Sequence, residues 1–479
     1  MLASPFLRSH AGGLVAWRPW GPEAIAAARA SDKPLFVHLA CEGSPGAEAM
    51  RREAFADMET AALLNRDFIC VLVDRDEQPE LDRLLQLAYR LLTREDGGWP
   101  LNLFLTADEA LPFFGGGYFP AVSSAGQPAL RTVLARVSEY HRDQQPALRE
   151  QGVALREALR HVDTGTAETA ALPGPAVFDA ARRQLEAGFD REHGGWGKAP
   201  KFPQALAIQH LLRHWQASAL GEQPDLKALF MATFTLSRLA DGALRDADGG
   251  FFRYCHDMAW QEPQPEKALA DNAQLLEVFA EAALLTGEAR FRAVAEDCAR
   301  YVVGQLSRPE GVAGLVPQAL AVRAVTTAAR ALGREDLKSV GTQGLEHLRA
   351  LSPVGLEDHV ALLDAILAGV MPGELPAELA WAKALADALL QQFEDRARGG
   401  FFTTTEEAPV FHRLREFADS GQPSGTARAA QVLLRLHALE PDPRYRDAAL
   451  RSLRAASLRM QAQPLGHLGL LAALSMSAI

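Results

Sequence analysis

Glu266 and Asp271 are the two carboxylates in this chain best placed to share one reaction, with Arg253, Tyr254, Lys267 and Asn272 close to them in sequence. On a helix, five positions set side chains about 140° apart, so the pair can flank a cavity mouth without sharing one stripe. Paired carboxylates do acid/base work on carbohydrates, aromatic platforms such as Trp196, Phe251 and Trp260 cover sugar faces, and Arg or Asn meets hydroxyls. The same residues also have an architectural use. Asp271 and Asn272 can cap the helix AQLLEVFAEAALL, Glu266 and Lys267 can pair with a neighbouring helix, and the aromatics can pack turns.

A second constellation is defined by what it lacks. Residues 33–47, KPLFVHLACEGSPGA, read as a buried strand running into a helix start, and they resemble the segment where a thioredoxin carries Cys-x-x-Cys. Ser44 and Ala47 stand at the two thiol positions. A serine hydroxyl without an adjacent base is a poor nucleophile. Ser44 as N-cap with Pro45 at the first helical position is a good way to begin a helix. Cys41 lies at the strand end, away from the helix N-terminus that would lower its pKa, and reads as a small buried thiol. Pro100, after Trp99, resembles the cis-proline that faces the dithiol; with no dithiol its remaining use is the turn before strand LNLFL. These residues predict a degenerate redox site.

The elements that would position both sets change character along the chain. Up to about residue 145, short apolar runs (PLFVHLA, FICVLVD, LNLFL) alternate with helices of ten or more residues, which predicts an α/β sheet. TGTAETAALPGPA then has the small-residue composition of a linker. Beyond residue 175, long Ala/Leu/Arg helices dominate, and one phrase recurs between them. Asp190, Asp246 and Asp395 each precede a Gly-Gly-aromatic turn ending in Trp196, Phe251 and Phe401. Glycine pairs permit the positive φ of a tight turn, and a repeated helix-plus-hairpin phrase predicts stacked helical hairpins, open or closed.

Bulk properties narrow the classes. The chain has 479 residues, enough for two or three cores, and 48% hydrophobic residues to fill them. Its formal net charge of -11, with no basic and aromatic cluster, disfavours nucleic-acid binding. Four scattered cysteines suit free thiols in a reducing compartment, and no stretch has the length of a membrane span. No signal-like leader is read at the N-terminus. His256, His412 and His437 show no metal-ligand spacing. A cytoplasmic protein without metal or cofactor is the expectation.

The phrases SPFLRSHAGGLVAWRPWGPEA, DRDEQPELD, GGWPLNLFLTADEALPFFGGGYFP, GGWGKAPKFP, GGFFRYCHDMAW, EKALADNA and QPSGTA occur in the order seen in the spermatogenesis-associated thioredoxin-like family, which the chain resembles. The resemblance implies a multidomain α/β plus all-α chain. A thioredoxin-like domain over 1–150 and a linker over 151–175 precede an α/α toroid over 176–479, similar to six-hairpin glycosidases and N-acylglucosamine 2-epimerases.

The chain departs from that family pattern at several places. Phe252 and Gln264 replace family histidines that would be proton shuttles, and a segment after Leu306 is shortened, which implies an incomplete toroid. The expectation is therefore a binding or scaffold protein without redox activity, with a protein partner at the thioredoxin-like domain. The alternative is a sugar-active enzyme using Glu266 and Asp271, with Trp196, Arg253, Tyr254, Trp260, Lys267 and Asn272 around the sugar. Asp358-His359 and Gln422-Pro423-Ser424-Gly425-Thr426 read as capped helix starts.

Overall fold

The computed structural model describes residues 4–477 apart from 125, 163–170, 222, 308–313 and 371–375. The chain divides into two compact units, Met1–Thr164 with Glu406–Leu414, and Gly165–Thr405 with Arg415–Ile479.

The first unit is built on strands β1 (Arg18–Pro19), β2 (Leu35–Ala40), β3 (Ile69–Asp74), β4 (Leu101–Leu105) and β5 (Pro112–Gly116), in the order β1-β3-β2-β4-β5. β1, β3 and β2 run parallel, and β4 and β5 are antiparallel. Around them lie helices α1 (Pro5–Ser9), α2 (Pro22–Ser31), α3 (Pro45–Arg52), α4 (Met58–Asp67), α5 (Pro79–Thr93), α6 (Leu130–Asp143) and α7 (Gln145–Val162). β2 and β4 are buried along their whole length, as expected of strands covered on both faces. Phe36 and Phe104 pack with Leu64, Leu130 and Leu134 on one face. Leu35, Val37 and Leu39 pack with Ala28, Leu81 and Leu85 on the other.

Two boundaries differ from expectation. The linker predicted over 151–175 begins as helix, because Leu155 and Leu159 on α7 are buried against Leu84 and Ala88 of α5. Residues 406–414, expected within the helical domain, complete the first unit instead. The Trp20 indole donates to Pro409 O at 3.0 Å, and Val410, Phe411 and Leu414 join its apolar clusters.

The second unit alternates α8 (Ala176–Gly188) with α9 (Ala205–Ser218), α10 (Leu226–Asp241) with α11 (Leu269–Thr286), α12 (Ala289–Leu306) with α13 (Leu315–Leu332), α14 (Glu335–Arg349) with α15 (Leu356–Gly369), and α16 (Pro376–Gln392) with α17 (Gly425–Leu439). α18 (Pro443–Ala455) and the short α19 (Ser457–Ala462) then lead to α20 (Leu468–Met476). The second members form a ring in which α9, α11, α13, α15, α17 and α20 each touch the next and α20 touches α9. The toroid is thus closed, which decides between the open and closed arrangements that the helical repeat and the shortened region after Leu306 left undecided. α15 and α20 are buried nearly all round, as inner helices must be.

Short connections such as Gly287-Glu288 and Gly333-Arg334 turn each inner helix back into an outer one, so neighbours run antiparallel. All inner N-termini therefore lie at one end, which also receives the long connections 189–204 and 242–268 and the segments 393–405 and 415–424. The three Gly-Gly-aromatic phrases are hairpins at this end. Asp190, Asp246 and Asp395 donate their backbone N–H to Gly195 O, Gly250 O and Gly400 O at 3.0, 2.8 and 3.0 Å. Gly194, Gly249 and Gly399 carry the positive φ that the turn requires.

Candidate functional site

In the first unit the Ser44–Ala47 segment expected to be a degenerate redox site is closed on itself. Ser44 is the N-cap of α3; its hydroxyl accepts from Ala47 N at 3.5 Å and donates to Trp99 O at 3.0 Å. Ala47 is only 2% exposed. The Trp99-Pro100 peptide is cis, and a Cβ on Gly46 would lie 2.7 Å from Pro100 Cδ, so α3 begins directly against the proline. A cleft of about 330 Å³ opens beside it, lined by Tyr89, Gly97, Trp99, Pro100, Gly117 and Tyr118. The Trp99 ring is covered by the Arg75 guanidinium at 3.9 Å and donates through Nε1 to Asp82 at 3.0 Å. None of Cys41, Cys70, Cys255 or Cys298 is in a disulfide, and burial pushes the Cys255 and Cys298 thiols up to about 11 and about 12.

In the second unit, Arg253 brings the two candidate carboxylates together. Its Nη1 lies 3.0 Å from Glu266 Oε1 and its Nε 3.4 Å from Asp271 Oδ2, all three side chains partly exposed at the loop-rich end. Backbone pairing of Arg253 N with Glu266 O sets this register. Burial pushes the Asp271 carboxyl above its ordinary range, against the opposing pull of Arg253. The Tyr254 ring lies 4.9 Å from Phe202 and 5.3 Å, edge-on, from His256, whose Nε2 is 3.2 Å from Gln264 Oε1. A histidine, His256, therefore stands beside Gln264.

The remaining residues expected around a sugar are held in the architecture. Trp196 is buried with its indole donating to Leu185 O, and Trp260 is fully buried with its indole donating to His193 O. Neither offers a platform, because both ring faces are packed; the buried Lys201 ammonium sits 4.9 Å over Trp260. Phe251 is likewise fully buried. Lys267 is drawn away from the carboxylate pair by Asp246 and by Asp248 at 2.7 Å. Asn272 caps no helix. It receives Phe251 N at 2.7 Å and donates to Phe251 O at 3.0 Å, gripping the hairpin, as Thr426 grips Phe401 in a later repeat. Asp358 and Ser424 do cap α15 and α17.

Sequence reading missed two features. Phe202 and His256 are brought to Tyr254 by hairpin pairing of Lys201 with Cys255, which no local spacing announces. Inside the toroid, Arg323 joins Glu277 to Asp364, Arg435 reaches Asp364, and Arg428 lies 3.3 Å from Glu357. Burial alone would raise the Asp364 carboxyl, but Arg323, Arg435 and Arg428 together hold it well below the usual carboxylate range. A lone acid within an otherwise apolar inner helix, such as Asp364 in HVALLDAILAGVM, was the available signal. Among the described residues no group of three or more His, Cys, Asp or Glu forms a metal cluster, and no helix is long and apolar enough to cross a membrane.

Residues 1–160 match the family model Thioredox_DsbH, described as a protein of unknown function, DUF255. Spermatogenesis-associated protein 20 of Homo sapiens is 36% identical over 311 residues, covering 64% of this chain and 39% of the human protein. An uncharacterized protein of Caenorhabditis elegans is 32% identical over 284 residues, covering 59% of this chain and 38% of its own length. The chain thus spans about two fifths of these relatives. Among solved structures, cellobiose 2-epimerase from Spirochaeta thermophila (16% identity, TM-score 0.46) covers 63% of this chain and 85% of its own. A D-mannose isomerase (10% identity, TM-score 0.47) covers 60% and 88%. The resemblance carried by the motifs is borne out: this chain, a thioredoxin-like unit joined to an α/α toroid, is similar to spermatogenesis-associated protein 20 and matches the DUF255 model over its first 160 residues.

Proposed function

We propose that the protein works without thiol–disulfide exchange and that its thioredoxin-like unit serves to bind a protein partner. The observation that carries this reading is the Ser44 hydroxyl, which caps α3 and donates to Trp99 O in the place where an attacking thiolate would stand. Exchange needs a thiolate and a resolving thiol, and neither position supplies one. The adjoining cleft of about 330 Å³ at Pro100 offers a partner room beside the start of α3. Free thiols suit a reducing, cytoplasmic setting. The test is insulin reduction in the presence of dithiothreitol. No rate above the dithiothreitol background is expected; a rate abolished by Cys41→Ser would overturn the reading.

A second reading is supported by the Arg253 bridge. Two carboxylates on one guanidinium, Asp271 pushed up by burial, and the Phe202–Tyr254–His256 rings at the loop-rich end together suit recognition of a sugar, with Asp271 as proton donor and Glu266 as its partner. A thermal-shift screen against mono- and oligosaccharides tests it. A sugar that raises the Tm of the wild type and not of Glu266→Gln supports the reading, by mass action on the folded state. No shift with any sugar sinks it.

A further inference from the structure

His38 on β2 stands directly opposite Asn102 on β4. Asn102 commits its amide nitrogen as donor to Gly117 O and Met50 Sδ, so its Oδ1, 2.7 Å from His38 Nδ1, is the acceptor. Hydrogen bonding therefore assigns the ring proton of His38 to Nδ1 and leaves Nε2 with a bare lone pair. His10, just after α1, repeats the arrangement. Its Nδ1 is 3.0 Å from Phe6 O, which can only accept, so its Nε2 also carries a lone pair. Both Nε2 atoms are buried with no hydrogen-bond partner. His38 is 0% exposed and His10 6%.

The two orphan acceptors share one enclosure. The imidazole centroids are 5.8 Å apart, and Phe6, Trp17 and Phe55 each make ring contacts with both. A buried acceptor without a partner is costly, and two on rings in one enclosure call for a common partner. A bridging water donating to both Nε2 atoms would have two partners, the fewest a buried water keeps, with its oxygen turned toward aromatic rings. A cation accepts both lone pairs at once and is attracted by the ring faces. Zinc would need four ligands. Among the described residues the rings packed on the two imidazoles are aromatic, and Glu48, whose charge acts on His10, is engaged by Arg51 at 2.6 Å. Two neutral imidazoles in an aromatic enclosure suit a soft monovalent d¹⁰ ion of low coordination number. Each ring also donates its other nitrogen to a carbonyl or amide oxygen, as metal-bound histidines do.

We propose that the Nε2 atoms of His10 and His38 form a two-coordinate site for a soft monovalent cation, Cu(I), which Ag(I) can replace without redox chemistry. The site lies in the first unit, apart from both the Ser44–Pro100 region's cleft lining and the Arg253 carboxylates, and is independent of either reading of function.

The test is anaerobic titration of the full chain with Ag(I) alone, and with Cu(I) against a competing chelator, on wild type, His10→Phe and His38→Phe. Wild type is expected to hold one equivalent at least tenfold more tightly than either variant, with quenching of Trp17 fluorescence. X-ray absorption of the one-equivalent wild-type complex gives an independent readout that needs no variant to fold. A first shell of two nitrogens supports the site, whereas a sulfur shell assigns the metal to the cysteines and overturns it. Equal affinity in the wild type and both variants overturns it as well.

Discussion

The hydroxyl of Ser44 donates to the backbone carbonyl of Trp99 at 3.0 Å, tying the start of α3 to the residue before the cis-proline. The bond uses the scaffold of a dithiol site for a structural purpose. Ser44→Ala is expected to cost about 1 kcal/mol, the usual worth of an N-cap, read as a lower urea midpoint with unchanged m-value.

The same geometry suits a restored dithiol. Ser44→Cys combined with Ala47→Cys places a thiol at the N-terminus of α3, where thiolates are stabilised. The double variant is expected to show dithiothreitol-coupled insulin reduction above that of the wild type. A correctly folded double variant with no gain would mean that more than the two thiols separates this unit from an oxidoreductase.

Asn272 and Asp271 are neighbours with opposite roles. Asn272→Ala strands the N–H and C=O of the fully buried Phe251 and is expected to cost about 3 kcal/mol. Asp271→Asn acts differently. Its carboxyl pKa is raised in the fold, so the wild-type side chain contributes stability at low pH that is lost as pH rises through the folded value. The Tm of Asp271→Asn should therefore exceed the wild-type value at pH 7, with the gap closing on acidification. A constant gap across pH 4–7 would contradict the shift.

Acid sensitivity of the toroid should trace to its buried histidines. Burial, with help from His214, holds His210 down at about 4, and burial lowers His359 against its bond to Gly355 O. In the unfolded chain both protonate near 6.5. The unfolded state then binds more protons below that pH, so their contribution is complete above about pH 6.5 and falls away toward pH 4. Calorimetry of His210→Gln should show a smaller loss of Tm between pH 7 and pH 5 than wild type shows.

Arg323 is expected to be the costliest single charge to remove. Arg323→Met leaves Glu277 and Asp364 facing each other in the toroid interior, a loss of about 3–5 kcal/mol. Replacing Arg323 and Glu277 together with apolar residues of similar volume should recover part of it, because Asp364 keeps its pairing with Arg435, as measured by denaturant midpoint.

Much of this molecule was legible in local pattern. Continuous apolar runs marked β2, β3 and β4, Ser44-Pro45 announced the start of α3, and the three Asp…Gly-Gly-aromatic phrases marked three hairpins, because each depends on residues near in sequence. Closure of the toroid did not, since it rests on α20 meeting α9 across the whole unit. Nor could spacing tell a sugar platform from a core indole: Trp196 and Trp260 carry the right chemistry, and only packing decides that their faces are covered. The Arg253 bridge, the Asp364 charge network and the paired lone nitrogens of His10 and His38 are likewise tertiary facts. Residue type supplied the charges and nitrogens; which of them meet, and which are left without a partner, was decided by the fold.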